Sequence, residues 1–267
     1  MKPTDSEAMP PRDLITDLTR LVAEPPQDFA TRVLQRAGVP RERYDTYVRL
    51  DTPAGGLFVA SGPRAVTGSA LDSAGLTATA FETLHRERTH RSAVRSGKPF
   101  PGVVTALRTG RARRLPIDLS GFTPVEQAVL EAVRAVPAGQ LRPISWIARE
   151  AAVPAEVVAG ALAMNPAAVL IPSHRVTYDN GAPCDGAFLP ELGDALRAAE
   201  GIDRGKTEER LRQGVMFLGS DTTRIYCHPT CAHALRITPP HQVPFRTARE
   251  AGRAGYRACK SCRPVTV

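Results

Sequence analysis

The chain has 267 residues, 42% hydrophobic, 5% aromatic and 23% charged. That is ordinary globular material for two or three domains, and it excludes disorder throughout. No apolar run reaches the roughly 18 residues a transmembrane helix needs. The start, Met1-Lys2-Pro3-Thr4-Asp5-Ser6-Glu7, lacks the apolar stretch of a secretory signal, so the reducing cytoplasm is the expected compartment. Lys plus Arg is 35 and Asp plus Glu is 27, a net charge of +8. Residues 210–267 hold ten basic residues against two acids, Asp221 and Glu250, so the entire excess lies in this segment. A composition bias would have spread it along the chain. A small, strongly basic module suggests a polyanion partner, nucleic acid first.

Residues 1–43 read as a Pro-punctuated helical extension. Residues 47–61 alternate around a Pro53-Ala54-Gly55-Gly56 turn, which predicts a β-hairpin. Thr123-Pro124-Val125-Glu126 is a capping box that starts a helix. Val125, Val129, Ala132 and Val133 form its apolar face, and Pro137 and Gly139 end it. Residues 144–150 and 155–164 predict two short helices around Val153-Pro154, a helix-turn-helix with Trp146 as a core residue. A turn at Asp179-Asn180-Gly181 and a helix ending at Ala199-Glu200-Gly201 follow.

Four of the five cysteines, Cys227, Cys231, Cys259 and Cys262, read C-x3-C, 27 residues, C-x2-C. Each close pair supplies two sulfurs from one turn, and the gap folds back to complete a tetrahedral zinc site. In a reducing compartment this spacing points to metal rather than disulfides. Four thiolates already fill the shell, which leaves His228, His233 and His241 as surface or outer residues. Such a site is either a structural staple or, because a zinc thiolate is a soft nucleophile, a methyl acceptor. Spacing alone leaves both open.

The flanking residues are more specific. Asp221-Thr222-Thr223-Arg224-Ile225-Tyr226-Cys227-His228-Pro229-Thr230-Cys231 and Ala251-Gly252-Arg253-Ala254-Gly255-Tyr256-Arg257-Ala258-Cys259-Lys260-Ser261-Cys262-Arg263-Pro264 closely resemble the zinc-binding, methyl-accepting module of the Ada alkylation-response family. Its pattern is T-T-x-I-F/Y-C-x-P-S/T-C, then A-G-F/Y-R-x-C-K-x-C-x-P. The resemblance implies that Cys227 accepts a methyl group from a DNA methylphosphotriester, once per protein, while Cys231, Cys259 and Cys262 hold the zinc with it. Thr222, Thr223, Arg224, Arg257 and Lys260 are the expected phosphate contacts.

Asn165-Pro166-Ala167-Ala168-Val169-Leu170-Ile171-Pro172-Ser173-His174-Arg175-Val176 resembles the N-P-x4-I-P-C-H-R-V segment of the O6-alkylguanine-DNA alkyltransferases. That resemblance runs from about Leu119 to Gly201 and extends more weakly to the hairpin. The departures are concentrated in one site. Ser173 stands where the family has its acceptor cysteine, and a neutral hydroxyl is a poor nucleophile at alkyl carbon. Glu156 stands at the base-flipping arginine, Ile144 and Gly186 at tyrosines, and Gly193 at a lysine. Asn165, His174, Arg175 and Glu200 remain. This domain is therefore expected not to dealkylate guanine. Cys184 is read as a loop cysteine near the wall of the lost site.

The expected fold is α+β in three parts. Residues 1–118 form a helix plus a small antiparallel sheet, ribonuclease H-like by the resemblance. Residues 119–205 form a winged-helix-like helix-turn-helix domain. Residues 206–267 form a four-cysteine module holding one zinc. The expected function is an alkylation-response protein that binds duplex DNA with a methylated backbone, associates with no membrane, and accepts methyl on Cys227. The alternatives are a lesion-binding or regulatory protein with structural zinc, and a divergent relative acting on a small molecule in the emptied guanine pocket.

Overall fold

The computed structural model describes residues 26–72, 75–185 and 189–264. The expected helical start before residue 26, and Gly186, lie outside the described residues. Helix α1 (Phe29–Arg36) precedes β1 (Tyr44–Thr52) and β2 (Gly55–Ser61), which form the expected hairpin with Thr52 opposite Gly55. Gly55 has φ +102°, which glycine adopts without strain. Strand β3 (Val66–Leu71) adds antiparallel to β2. Helix α2 (Ala78–Thr89) then leads to β4 (Ser92–Arg95). The sheet order is β3-β2-β1-β4, with β4 parallel to β1. The sheet is thus mixed rather than antiparallel, because α2 carries the chain across it and returns β4 in the direction of β1. Tyr47, Phe58 and Phe81 pin α2 to this sheet, with the Phe58 and Phe81 rings stacked 5.0 Å apart.

Next come α3 (Val103–Thr109), α4 (Pro124–Arg134), β5 (Arg142–Pro143), α5 (Ile144–Ala151), α6 (Glu156–Ala163), β6 (Val176–Thr177) and α7 (Pro190–Ala199). The capping box of α4 is formed: Glu126 N–H donates to Thr123 Oγ1, and Thr123 N–H donates to Glu126 Oε2 at 2.8 Å. The apolar stripe of α4 differs from the expected one. Leu130 is fully buried, whereas Val125, in the first turn, is 44% exposed. Helices α5 and α6 are the two halves of the expected helix-turn-helix, joined by Ala152 in the left-handed region. One hydrophobic core runs from Leu57 and Val66 of the sheet to Leu130, Ile147 and Leu162 of the helices. The sheet and the helices therefore fold as neighbours on a shared interior.

Helix α8 (Arg204–Arg212) leads to a second sheet of β7 (Phe217–Ser220), β8 (Ile225–Cys227), β9 (Gln242–Phe245) and, after α9 (Ala248–Arg253), β10 (Arg257–Ala258). Its order is β10-β8-β7-β9, with β10 parallel to β8. Tyr226, Phe245, Ala251 and Tyr256 form its small core. Gly219 is required there, since a Cβ would lie 2.7 Å from the Phe245 and Tyr256 rings. Among the described residues no helix is long and apolar enough to cross a membrane.

Thr123→Ala removes the cap that organises α4 and should lower unfolding stability by about 1 kcal/mol. Denaturant titration of the two proteins checks this.

Candidate metal centre and nucleic-acid cleft

The register of the second sheet builds the metal centre. Ile225 pairs with Arg257 and Tyr226 with Ala258, so Cys227 and Cys259 follow side by side at the ends of neighbouring strands. Each then enters a tight turn, closed by Cys231 N–H to His228 carbonyl and by Arg263 N–H to Cys259 carbonyl, both 2.9 Å. These turns deliver Cys231 and Cys262. All four are buried free thiols, and their sulfurs lie within 4.8 Å of one another.

The donor set fits one zinc ion. Sulfurs about 2.3 Å from a tetrahedral zinc are about 3.8 Å apart, compatible with this cluster. Backbone N–H groups of His233 and Ala234 point at the Cys231 sulfur, and that of His228 at the Cys262 sulfur. These are the donors that thiolates, not thiols, need. Crowding by itself opposes four thiolates: hydrogen bonds with Cys231 and Cys262, then burial, push the Cys227 thiol well above its ordinary range. A divalent cation at the centre of the four offsets that repulsion.

Cys227 and Cys259 also line a cleft of about 490 Å3. Its walls carry Arg236, Arg257, Lys260 and His233, with the hydroxyls of Ser220, Thr223 and Ser261. No carboxylate is among its lining residues. The cleft is therefore basic, with the buried Cys227 and Cys259 among its lining residues.

The opposite side of the centre is covered by the helical domain. Trp146 Nε1 on α5 donates to the Cys262 carbonyl at 2.8 Å. Leu141 N–H donates to Thr230 Oγ1 at 2.7 Å, Arg149 donates to the Arg263 carbonyl at 2.6 Å, and Glu150 pairs with Arg263. Trp146 is a buried core residue as expected, and its Nε1 also reaches out of that core to the Cys262 turn. His228 is buried against Phe217, and burial followed by the charge of Arg142 pushes its pKa down to about 3. His241 is exposed and pairs with Asp221 at 2.9 Å.

A second set of candidate residues gathers around Ser173. Its side chain is fully buried and accepts a hydrogen bond from Asn165 Nδ2 at 3.3 Å. His174 Nε2 lies 3.1 Å from Glu200 Oε1, and Arg175 donates to both Glu200 oxygens. Burial would raise the Glu200 pKa, but hydrogen bonds from His174 and Arg175 hold it at about 2. Gly193 faces Asp185 so closely that a Cβ would lie 2.8 Å from the carboxylate, which Arg197 clamps with two hydrogen bonds of 2.6 and 2.8 Å. An ion pair thus occupies the space that a side chain at 193 would use. Cys184 is buried in the main core, its N–H donating to the Val176 carbonyl at 3.0 Å. Glu156 is exposed at the start of α6, a helix with no Lys or Arg.

Residues 206–265 match the family model described as the metal binding domain of Ada. The chain carries an Ada metal-binding domain. Residues 124–202 match the DNA binding domain of 6-O-methylguanine DNA methyltransferase, so this domain is present as well. A curated relative, the DNA base-flipping protein of Thermus thermophilus, is 34% identical over 67 residues, covering 25% of this chain and 46% of the relative. The chain therefore spans about half the length of that relative. Among solved structures, the Mycobacterium tuberculosis OGT in complex with DNA is 27% identical with a TM-score of 0.44, covering 58% of this chain and 93% of that one. The O6-methylguanine-DNA methyltransferase of Pyrococcus kodakaraensis is 20% identical with a TM-score of 0.44, covering 59% and 99%.

Within the Ada metal-binding domain, Thr223, Arg257 and Lys260 line the cleft with Cys227, and Thr222 and Arg224 do not. The Arg224 guanidinium lies over the Tyr256 ring at 5.1 Å, and the Thr222 hydroxyl donates to Asp221. Arg236 and His233 are the residues that sequence reasoning missed. They stand in the long gap between the cysteine pairs, where only the fold shows which bases return to the thiols. The surplus of arginine in residues 210–267 was the available signal.

Trp146 is the only tryptophan and is bonded to the Cys262 turn. Removing metal with a chelator should shift its fluorescence emission to the red as that turn loosens. Glu200 has its folded pKa depressed to about 2 from an ordinary 4.5. Its stabilisation is complete above about pH 4.5 and is lost as pH falls toward 2. Wild type should lose more stability over that interval than Glu200→Gln, as urea titrations at each pH will show.

Proposed function

We propose that the protein binds DNA through the basic cleft and takes a methyl group from a backbone methylphosphotriester onto Cys227 Sγ. The place of the buried Cys227 in the lining of a cleft walled by Arg236, Arg257 and Lys260, with no carboxylate among its lining residues, supports this reading most directly. Cys227, Cys231, Cys259 and Cys262 are the four that would hold zinc, which keeps the thiols deprotonated and electron-rich at neutral pH.

The Cys227 thiolate attacks the methyl carbon in line with the ester oxygen. The S–C bond forms as the C–O bond breaks, and the oxygen leaves with its electron pair as a phosphodiester anion. No proton or co-reactant is needed. A triester is uncharged and can approach an anionic centre that repels an ordinary phosphate. The new phosphate charge is received by the Arg236, Arg257 and Lys260 side chains, while the thiolate loses one charge. The resulting thioether does not turn over, so each protein reacts once.

The methyltransferase-type domain is read as a support that does not dealkylate guanine. Ser173 is fully buried and a poor nucleophile, and the Asp185–Arg197 pair fills space beside it. Helix α6 carries an exposed Glu156 in its first turn, at the position that the sequence resemblance gives to a base-flipping arginine. DNA contact is accordingly assigned to the zinc unit, and the three units are residues 1–118, 119–205 and 206–267.

Intact-mass analysis and peptide mapping after incubation with methylphosphotriester DNA should find one methyl on Cys227. Cys227→Ala should show none. A folded, zinc-loaded wild type that stays unmodified would leave a structural centre in a binding protein. Arg236→Ala and Lys260→Ala should each weaken DNA binding across sequences and reduce the slope of log affinity against log salt by about one.

A further inference from the structure

Four arginines are buried among the described residues: Arg134, Arg142, Arg175 and Arg197. Three have a carboxylate partner. Arg134 pairs with Glu131, Arg175 with Glu200, and Arg197 with Asp185 and Asp194. Arg142 is the most deeply buried, at 2% exposed, and no carboxylate pairs with it among the described residues. Its Nη1 donates to the Leu141 carbonyl at 2.7 Å and its Nη2 to Gln140 Oε1 at 2.5 Å. Its Nε has no hydrogen-bond partner, and the guanidinium lies over the Trp146 ring at 5.6 Å.

A buried cation held only by neutral acceptors is strongly disfavoured, and proteins retain one where an anion balances it. The anion here is the thiol cluster. Arg142 lies on β5, between Leu141, which is bonded to Thr230 in the first cysteine turn, and Trp146, which is bonded to Cys262 in the second. The guanidinium lies over the Trp146 ring, and that ring's Nε1 is bonded to the Cys262 carbonyl, which sets the cation one side chain away from the thiol cluster.

We infer that Arg142 is the counter-ion of the metal–thiolate centre, supplied by the helical domain and locking that domain to the zinc unit through charge. Zinc with four thiolates carries two net negative charges, and Arg142 balances one of them. Loading the four thiols with zinc makes the site anionic, so a fixed positive charge beside it favours loading. The same charge makes the centre part of the domain seam: any event that removes a thiolate charge weakens the attraction holding the helical domain there. Arg142 is buried, is not among the lining residues of the cleft and acts through the cluster, so it is a positioning residue. The inference rests on the four thiolates holding a divalent metal and does not require methyl transfer.

The test measures zinc affinity in the full-length protein, by competition with a chromophoric chelator, for wild type, Arg142→Gln and Arg142→Lys. Removal of the charge in Arg142→Gln should lower apparent affinity about tenfold. It should also shift Trp146 emission to the red while zinc is still bound. Arg142→Lys keeps the charge and should stay within about twofold of wild type, with wild-type emission. Wild-type affinity in Arg142→Gln, or equal losses in both variants, would overturn the inference, since packing rather than charge would then explain the residue. Should Arg142→Gln fail to fold, Arg142→Lys decides: wild-type affinity supports the counter-ion role, and a tenfold loss in a folded protein overturns it. Methyl transfer is not read out, so failure here is distinguishable from failure of the proposed reaction.

Discussion

Four thiols within 4.8 Å of one another can all be thiolates only if positive charge is placed among and around them. Much of the C-terminal half answers that constraint. Parallel pairing of β8 and β10 puts two cysteines at adjacent strand ends, and the tight turns after them swing in the other two. Backbone N–H groups from residues 228, 233 and 234 face the sulfurs. Tyr226, Phe245 and Tyr256 form the small aromatic core beside this centre.

The two sides of the centre are built for different purposes. One side is lined by the basic cleft of Arg236, Arg257 and Lys260. The other is sealed by Trp146, Leu141 and the Arg149–Glu150–Arg263 contacts of the helical domain. The helical domain thus serves the centre as a wall, whatever else it binds.

The domain that matches the methyltransferase DNA-binding model is held together by buried polar contacts of its own. His174, Arg175 and Glu200 form a connected hydrogen-bonded network that ties the end of α7 to the segments around Val136 and Gly110, while Asn165 separately holds the Ile171 carbonyl and Ser173. That network stabilises the packing independently of any nucleophile, which explains how it can persist beside Ser173. Gly193 and the Asp185–Arg197 pair fit one another, so the altered wall is packed rather than merely depleted.

The amino-acid sequence by itself determined the local features and the metal chemistry. The Thr123 capping box, the hairpin after Tyr47 and the helix-turn-helix are written in short-range residue patterns, and the cysteine spacing names its ligands without reference to the rest of the chain. Only the tertiary structure decided which side chains surround those ligands. The crossover of α2 that makes the first sheet mixed, the return of Arg236 to the thiols, the stacking of Arg224 on Tyr256 and the burial of Arg142 beside the cluster all join residues far apart in the chain. Their spacing carries no periodic signal, because such contacts depend on how elements pack and not on the propensity of any one segment. Charge composition identified a basic module. The direction of each charge, toward the cleft or toward the metal centre, was fixed by the fold, since a guanidinium's surroundings depend on how distant segments pack.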